Sequence, residues 1–443
     1  MVLLIHIGAG NHGSSRKQQY RKLIQQALLS GSAMAASEIL ERSEFTNTGY
    51  GSSLNLNGAV ECDASFIMSS VPLSNHQTPA VGTPSDVFLD SVSVDPLDRN
   101  SSRSPSSVSL ASPDGLLVNE RKLYPTKRLR LDSMASARVP VVEDSLRVAG
   151  LRSPPQRGTV VGIHDSATPI TTAVKVFEGI SQLYDDRNFR RYGITVPLSI
   201  NYRCIEPDDP YFADLPRSDP KSLISPPAQQ FYDLVCSRLA VGGSPPKADA
   251  QVLDTIGLAE ITPLETTVLT SSGGNFFKLP GRIGCAGEVG GAVDLFHQND
   301  YEVACMCSGN GEDIMTMKLS HEIVRQVGKH PEDSYPEDIV HIIEDLREGF
   351  NLQAVNTKSE TIVYVGVVVT IHNLTTGEVR ILYCHSTESF YFGFHNHGDD
   401  KPHVVLSKLD DFDMAGKSWT YGEFKCLDSC FTKLSSASDT SSR

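Results

Sequence analysis

Asp254-Thr255-Ile256-Gly257-Leu258-Ala259-Glu260-Ile261 is followed, after Pro263-Leu264-Glu265, by Thr266-Thr267-Val268-Leu269-Thr270-Ser271. The two runs predict a strand pair with a short turn, although that turn lacks the usual Asp and Gly. Immediately upstream, Gly242-Gly243-Ser244-Pro245-Pro246-Lys247 has the composition of a flexible linker, so 242–254 delivers the chain to a strand that starts at Thr255.

Working outward, residues 1–68 have the pattern of folded chain: a strand over 2–7, a Gly-rich turn, helices from about Arg16 to Leu29 and Ala33 to Glu41, a turn over Thr46–Ser52, and strand-like alternation from Leu54 to Phe66. Residues 69–157 shift to Ser, Pro and Asp without periodicity, the signature of a long disordered insertion. Order resumes at Gly158–Ile163 and in a helix near 169–184; residues 205–252 mix helix-like pieces with Pro and Gly. Further on, 312–328 and 336–348 have helical patterns, Tyr364–Asn373 and Val379–His385 form a hairpin around Thr375-Thr376-Gly377, and Ser389–Phe394 adds a strand. Antiparallel strands with clustered helices predict an α+β chain of layered sheets, not a doubly wound parallel sheet.

The chain of 443 residues carries a net charge of −14 and no contiguous basic stripe, which argues against a nucleic-acid partner. Its nine cysteines are odd in number and scattered, with no CxxC pair and no His spacing that completes a zinc site. Reduced thiols and no metal are expected. The apolar opening Met1–Ile7 lacks a basic flank and has the character of a buried strand, not a signal peptide. No run approaches the ~20 apolar residues of a membrane span. These features predict a soluble intracellular protein, for which the sequons at Asn100 and Asn373 are irrelevant.

Gly8-Ala9-Gly10-Asn11-His12-Gly13 satisfies the dinucleotide fingerprint GxGxxG, but the unit also needs a second parallel strand ending in an acid ~20 residues on. Ser30–Glu41 has a helical pattern instead, so the glycines are assigned to close backbone approach.

Several blocks, in order, resemble one family. They are His6-Ile7-Gly8-Ala9-Gly10, Thr46-Asn47-Thr48-Gly49-Tyr50-Gly51-Ser52-Ser53-Leu54-Asn55 and Glu61-Cys62-Asp63-Ala64-Ser65 in the first half. The second half has Asp254-Thr255-Ile256-Gly257, Thr270-Ser271-Ser272-Gly273-Gly274, Gly281-Arg282-Ile283-Gly284, Ser308-Gly309-Asn310-Gly311-Glu312 and His385-Ser386-Thr387-Glu388-Ser389. The chain resembles the asparaginase-type Ntn hydrolases, and within them the threonine aspartase (taspase) branch. The resemblance implies a four-layer αββα sandwich and self-cleavage between Asp254 and Thr255. Residues 1–254 would become one subunit and 255–443 the other, an αβ heterodimer that could pair again into a dimer of heterodimers.

The chemistry agrees with that resemblance. A threonine hydroxyl needs an adjacent base. An N-terminal threonine carries its own, an α-amine with a pKa near ~8. Gly257 would keep the strand slim beside a substrate. By resemblance, Ser272 orients the nucleophile, Ser308 and Gly309 form the oxyanion hole, and Arg282, Cys285, Asn47 and Gly10 lie on the substrate side. Arg282 would grip a carboxylate with its guanidinium fork. Asparaginases hold the substrate's α-ammonium with an aspartate where this chain has Cys285. That departure favours an uncharged peptide nitrogen, hence an endopeptidase cutting proteins after aspartate without a cofactor. Two alternatives stay open: an isoaspartyl peptidase or asparaginase, and an unprocessed pseudo-hydrolase scaffold. Ile7 in place of a family glycine, the short turn at 263–266 and the long insertion are further departures.

Smaller signals complete the expectations. Lys127-Arg128-Leu129-Arg130 is either solvated charge or, as the resemblance implies, a basic patch for nuclear import, so nucleus and/or cytoplasm is the expected compartment. Ser104-Pro105, Ser112-Pro113 and Ser153-Pro154 are candidate phosphorylation sites. Glu312 and Asp313 open a helix, where the dipole favours acids, and are given no catalytic role.

Overall fold

The runs around Thr255 form the hairpin their residues predict, β5 (Ile256–Ile261) and β6 (Glu265–Ser272). Their turn needs no Asp or Gly because Thr262 supplies the polar group: its Oγ1 accepts from the amides of Leu264 and Glu265 at 3.3 and 2.9 Å. The computed structural model describes residues 1–70, 154–186, 199–203, 212–242, 255–356 and 358–427, which fall within one compact unit. Asp254, the linker from 243 onward, Asn100, Ser104, Ser112, Ser153, Lys127–Arg130 and the insertion from 71 to 153 lie outside the described residues.

The hairpin lies in the middle of an eight-stranded sheet. Its order is β12 (His403–Lys408), β11 (Ser389–Asn396), β1 (Val2–Gly10), β5, β6, β2 (Cys62–Ser70), β3 (Gln156–Ile163) and β4 (Ser199–Arg203). A five-stranded sheet runs β13 (Thr420–Leu427), β10 (Glu378–His385), β9 (Val365–Asn373), β8 (Tyr301–Gly309) and β7 (Val293–Gln298). Neighbours are antiparallel except β3 and β4. Both neighbours of β1 are antiparallel to it, so its glycine fingerprint does not open a parallel βαβ unit.

Period-2 alternation sends successive side chains into different cores. Leu3, Ile5 and Ile7 of β1 pack with Ile256 and Leu258 against α1 (Lys17–Leu28), α2 (Ala33–Glu41) and α3 (Pro169–Asp186). Val2 and Leu4 instead join Ala259, Ile261 and Val268 against Leu295, Ala304, Met306 and Val368 of the second sheet. The other face of that sheet, through Val303, Cys305, Val365 and Val367, packs on α5 (Gly311–Met317), α6 (Leu319–Val327) and α7 (Pro336–Gly349). In α1 the buried positions Tyr20, Leu23, Ile24, Ala27 and Leu28 recur at helical spacing on one face. Ser32 caps α2 by accepting from the Ala35 amide at 3.2 Å, and Pro336 begins α7 behind a Tyr335/Asp338 capping box. A further helix, α4 (Pro226–Ala240), precedes the linker. The chain is thus a mixed α/β protein with two sheets and several helices. No helix among the described residues is long and apolar enough to cross a membrane.

Some expectations need correction. The helix expected over 312–328 breaks at Lys318, whose φ of 50° ends α5 and starts α6. The alternation from Leu54 yields a strand only from Cys62, because Asn55 folds the preceding segment into a turn through Asn57 and Ala59. β1 runs through the supposed Gly-rich turn to Gly10, with a bulge between His6 and Ala9. The insertion's expected ends at 69 and 157 fall inside β2 and β3, which pair Met68 with Gln156, so the segment departs from the end of a strand pair.

Candidate active site

The alternation that builds the intersheet core also collects the polar residues at one end of it. On β5, Ala259 and Ile261 face the second sheet, so Gly257 and Thr255 do too; on β6, Val268 is followed on that face by Thr270 and Ser272; on β2, Ile67 by Ser65 and Asp63; on β8, Met306 by Ser308. Thr255, immediately before β5, is 4% exposed, and its Oγ1 lies 3.8 Å from Cys285 Sγ. The β1–β5 register ends at His6 opposite Gly257, and continued by two residues it sets Thr255 beside Gly8, within the β1 bulge.

Gly257 corrects one expectation. A Cβ there would lie 2.2 Å from His6 Nε2, so the glycine makes room for an imidazole, not for a substrate. His6 is fully buried and neither ring nitrogen has a hydrogen-bond partner among the described residues. Burial alone lowers its pKa to about 3, so the ring is neutral.

Ser272 pairs across the sheet with Asp63, and its Oγ accepts from the Gly274 amide at 3.0 Å. Asn47, expected on the substrate side, has both ends of its amide engaged: Nδ2 donates to Gly274 O at 2.9 Å and Oδ1 accepts from the Ser53 amide at 2.8 Å. It therefore positions the Ser272–Gly274 turn through the protein interior. Beneath the turn, Ser271 joins Thr48 to the buried carboxyl of Glu41, which burial raises to about 8 against the opposing hydrogen bonds of Ser271 and Ile170.

Ser308 Oγ accepts from the Ala9 amide at 3.1 Å, tying β8 to the bulge beside Thr255 and keeping its own O–H to donate. Gly309 has a φ of 136°, and a Cβ on it would meet Tyr364 O at 2.2 Å. Gly10 accepts from Ser389 Oγ at 2.8 Å, which docks β1 on the His385–Ser389 block. In that block His385 bonds Thr387 O and Ser407 Oγ, and its pKa is lowered to about 4, chiefly by burial.

Arg282 is held by an acid that the sequence attributes only to the helix dipole. Glu312 Oε1 accepts from Arg282 Nε at 3.0 Å and Nη2 at 2.5 Å, so one edge of the guanidinium fork is occupied within the protein. Burial raises Glu312, but the bonds and charge of Arg282 outweigh it and hold the carboxyl below its usual range. Burial pushes the Cys285 thiol up to about 11, so this group carries no charge where the resembled family has a carboxylate. Asp63 accepts from the amides of Gly284 and Gly162 at 2.7 and 3.1 Å, and burial raises its pKa. The buried Lys278 donates to Glu61 O at 2.6 Å. His6, Asp63, Lys278 and Glu312 are thus placed at the site without a role assigned from sequence. For His6, Asp63 and Glu312 the one available signal was membership of the quoted blocks. Among the described residues no three His, Cys, Asp or Glu side chains group to hold a metal ion.

No family model matches the chain. Among solved structures it is similar to the PP2C phosphatase domain with a fragment of the regulatory domain of the cell fate determinant SpoIIE from Bacillus subtilis. That match has 14% identity and a TM-score of 0.20, and covers 40% of this chain and 51% of the phosphatase chain. The chain therefore spans about half the length of that structure, and a likeness of this size carries no argument about fold or activity.

Proposed function

We propose that this chain is an autoprocessed threonine-nucleophile hydrolase that cleaves proteins after aspartate. The observation that carries the reading is the position of Thr255: buried at the head of a central strand, on the face turned to the second sheet, beside Ser272 and within contact of the segment that carries Arg282. The three cores, helices on sheet, sheet on sheet and sheet on helices, support a four-layer αββα architecture of Ntn-hydrolase type.

After cleavage of the Asp254–Thr255 bond, the α-amine of Thr255 takes the proton of its own hydroxyl, and Oγ1 attacks the substrate carbonyl. The Ser308 hydroxyl and the Gly309 amide stabilise the developing oxyanion. Collapse expels the substrate's amine, which takes the proton from the α-amine, and water then hydrolyses the threonyl ester. The neutral Cys285 thiol leaves no counter-charge for a free α-ammonium, which favours a peptide nitrogen over the amino-acid substrates of an asparaginase.

On a denaturing gel the purified protein should separate into two fragments that meet at Asp254/Thr255, the smaller beginning Thr-Ile-Gly-Leu, while Thr255→Ala stays whole. An intact wild-type band would overturn the proposal in favour of a scaffold. Turnover of asparagine or β-aspartyl dipeptides, with none of Asp-containing peptides, would leave the nucleophile but refute the specificity.

A further inference from the structure

Gly274 closes the turn after β6, and its missing side chain lets two cationic side chains pack close to its backbone. A Cβ at Gly274 would lie 2.9 Å from Nη1 of Arg282 and 3.3 Å from Nζ of Lys278, so both nitrogens face one spot. Its φ of +71° further disfavours any side chain there. Neither nitrogen is saturated. Arg282 reaches Glu312 through Nε and Nη2, which leaves Nη1 without an acceptor among the described residues. Lys278, 5% exposed, donates to Glu61 O and has two further N–H groups.

A buried ammonium with a single carbonyl acceptor is costly unless an anion completes its shell. Asp63 lies near enough to feel the charges of Lys278 and Arg282 but gives neither a direct acceptor. Its oxygens accept from Gly162 and Gly284, and it forms no ion pair with Lys278 or Arg282 among the described residues. Glu312 occupies Arg282 from the Nε–Nη2 edge, away from Nη1. The two remaining donors, an ammonium and a guanidinium N–H, therefore converge over the Gly274 backbone, and an anion drawn to both would have its seat there.

We propose that Lys278 is a second specificity residue of this site: its Nζ and Arg282 Nη1 close from two sides on one carboxylate seated over Gly274. Resting on the reading above, the occupant is the β-carboxylate of the aspartate before the scissile bond. The guanidinium alone does not hold it. Two donors on separate side chains replace one bidentate fork, because Glu312 has taken an edge of that fork. An amide in the seat would place its NH2 group against one of two cations, so asparagine is rejected by the same geometry.

The test is calorimetric titration of the full wild-type chain with N-acetyl-L-aspartate and with N-acetyl-L-asparagine, which differ only in the group that enters the seat. The wild type should prefer the aspartate probe, and Lys278→Gln should weaken that probe about 10- to 100-fold while barely changing the other. Equal weakening of both probes would show that Lys278 acts only by holding Glu61, and an unchanged preference would also overturn the proposal. Should Lys278→Gln fail to fold, a crystal structure of the wild type with N-acetyl-L-aspartate decides: the carboxylate must lie within hydrogen-bond distance of both nitrogens, and any other seat refutes the assignment. Carboxylate preference without cleavage of Asp-peptides would sink the proposed activity and leave this seat intact. Cleavage of Asp-peptides with an unchanged KM in Lys278→Gln would sink the seat alone.

Discussion

The space between the two sheets is lined by the same strand faces at both ends, and both ends bury polar groups. At one end Ser69 of β2, Thr266 of β6 and Glu302 of β8 come together; at the other the same strands present Asp63, Ser272 and Ser308. Ile67, Val268, Ala304 and Met306 separate them. In the first cluster both carboxylate oxygens are engaged: Ser69 donates to one oxygen of Glu302 at 2.7 Å and Thr266 to the other at 2.6 Å. The second has groups left over among the described residues, namely both nitrogens of His6, Arg282 Nη1 and the remaining N–H groups of Lys278. Burial of polarity is therefore common to both ends, and what differs between the two clusters is hydrogen-bonding capacity left over, a cost that a ligand or water would relieve.

Three perturbations test this contrast. The largest effect should come from Ser308→Ala, which removes the hydroxyl assigned to the oxyanion: kcat on an Asp-peptide should fall about 10²–10³-fold while the protein stays folded. A variant with unchanged kcat would reduce Ser308 to its bond with Ala9. At the Glu302 end the outcome should invert. Glu302→Ala leaves two buried hydroxyls without their acceptor and should lower stability by about 2–4 kcal/mol in urea unfolding, with kcat of the folded fraction preserved. Loss of turnover there would mean that the two ends are coupled.

The smallest effect is on pH dependence. Burial holds His6 at about 3 and is the main cause that holds His385 at about 4, whereas the unfolded imidazole titrates near 6.5. Both folded values are depressed, so the unfolded chain takes up protons first as pH falls. The stability contributed by the neutral rings is complete above pH 6.5 and is lost progressively down to about 3. His6→Gln should remove about one of the protons taken up on unfolding in that window. An unchanged slope of stability against pH would show that water already reaches the ring.

Legibility from sequence followed the nature of each signal. Helix α2 was readable to the residue, because Ser32 caps it and small apolar residues fill its buried face. The hairpin of β9 and β10 was announced by Gly377 between two apolar runs. By contrast β7 and β8 went unanticipated: Tyr301–Gly309 is buried on both faces along most of its length, so the polar half of the alternation is missing. Thr255, Ser272 and Ser308 were singled out because the quoted blocks carry them in order. Lys278 and Glu312 were not assigned, since nothing in local pattern reveals that residues 30 or more positions away, or across a turn, will converge on Arg282 and Gly274.

The sequence by itself determined which residues can act as strands, helices and caps, because period, propensity and turn chemistry are local properties of the chain. It also determined that Thr255 heads a strand behind a flexible-looking linker. Only the tertiary structure decided that Gly257 serves His6, that Glu312 occupies an edge of Arg282, and that Lys278 and Arg282 converge on Gly274. The physical reason is that hydrogen-bond saturation depends on distances between segments remote in sequence, and composition carries no record of which donors are already satisfied.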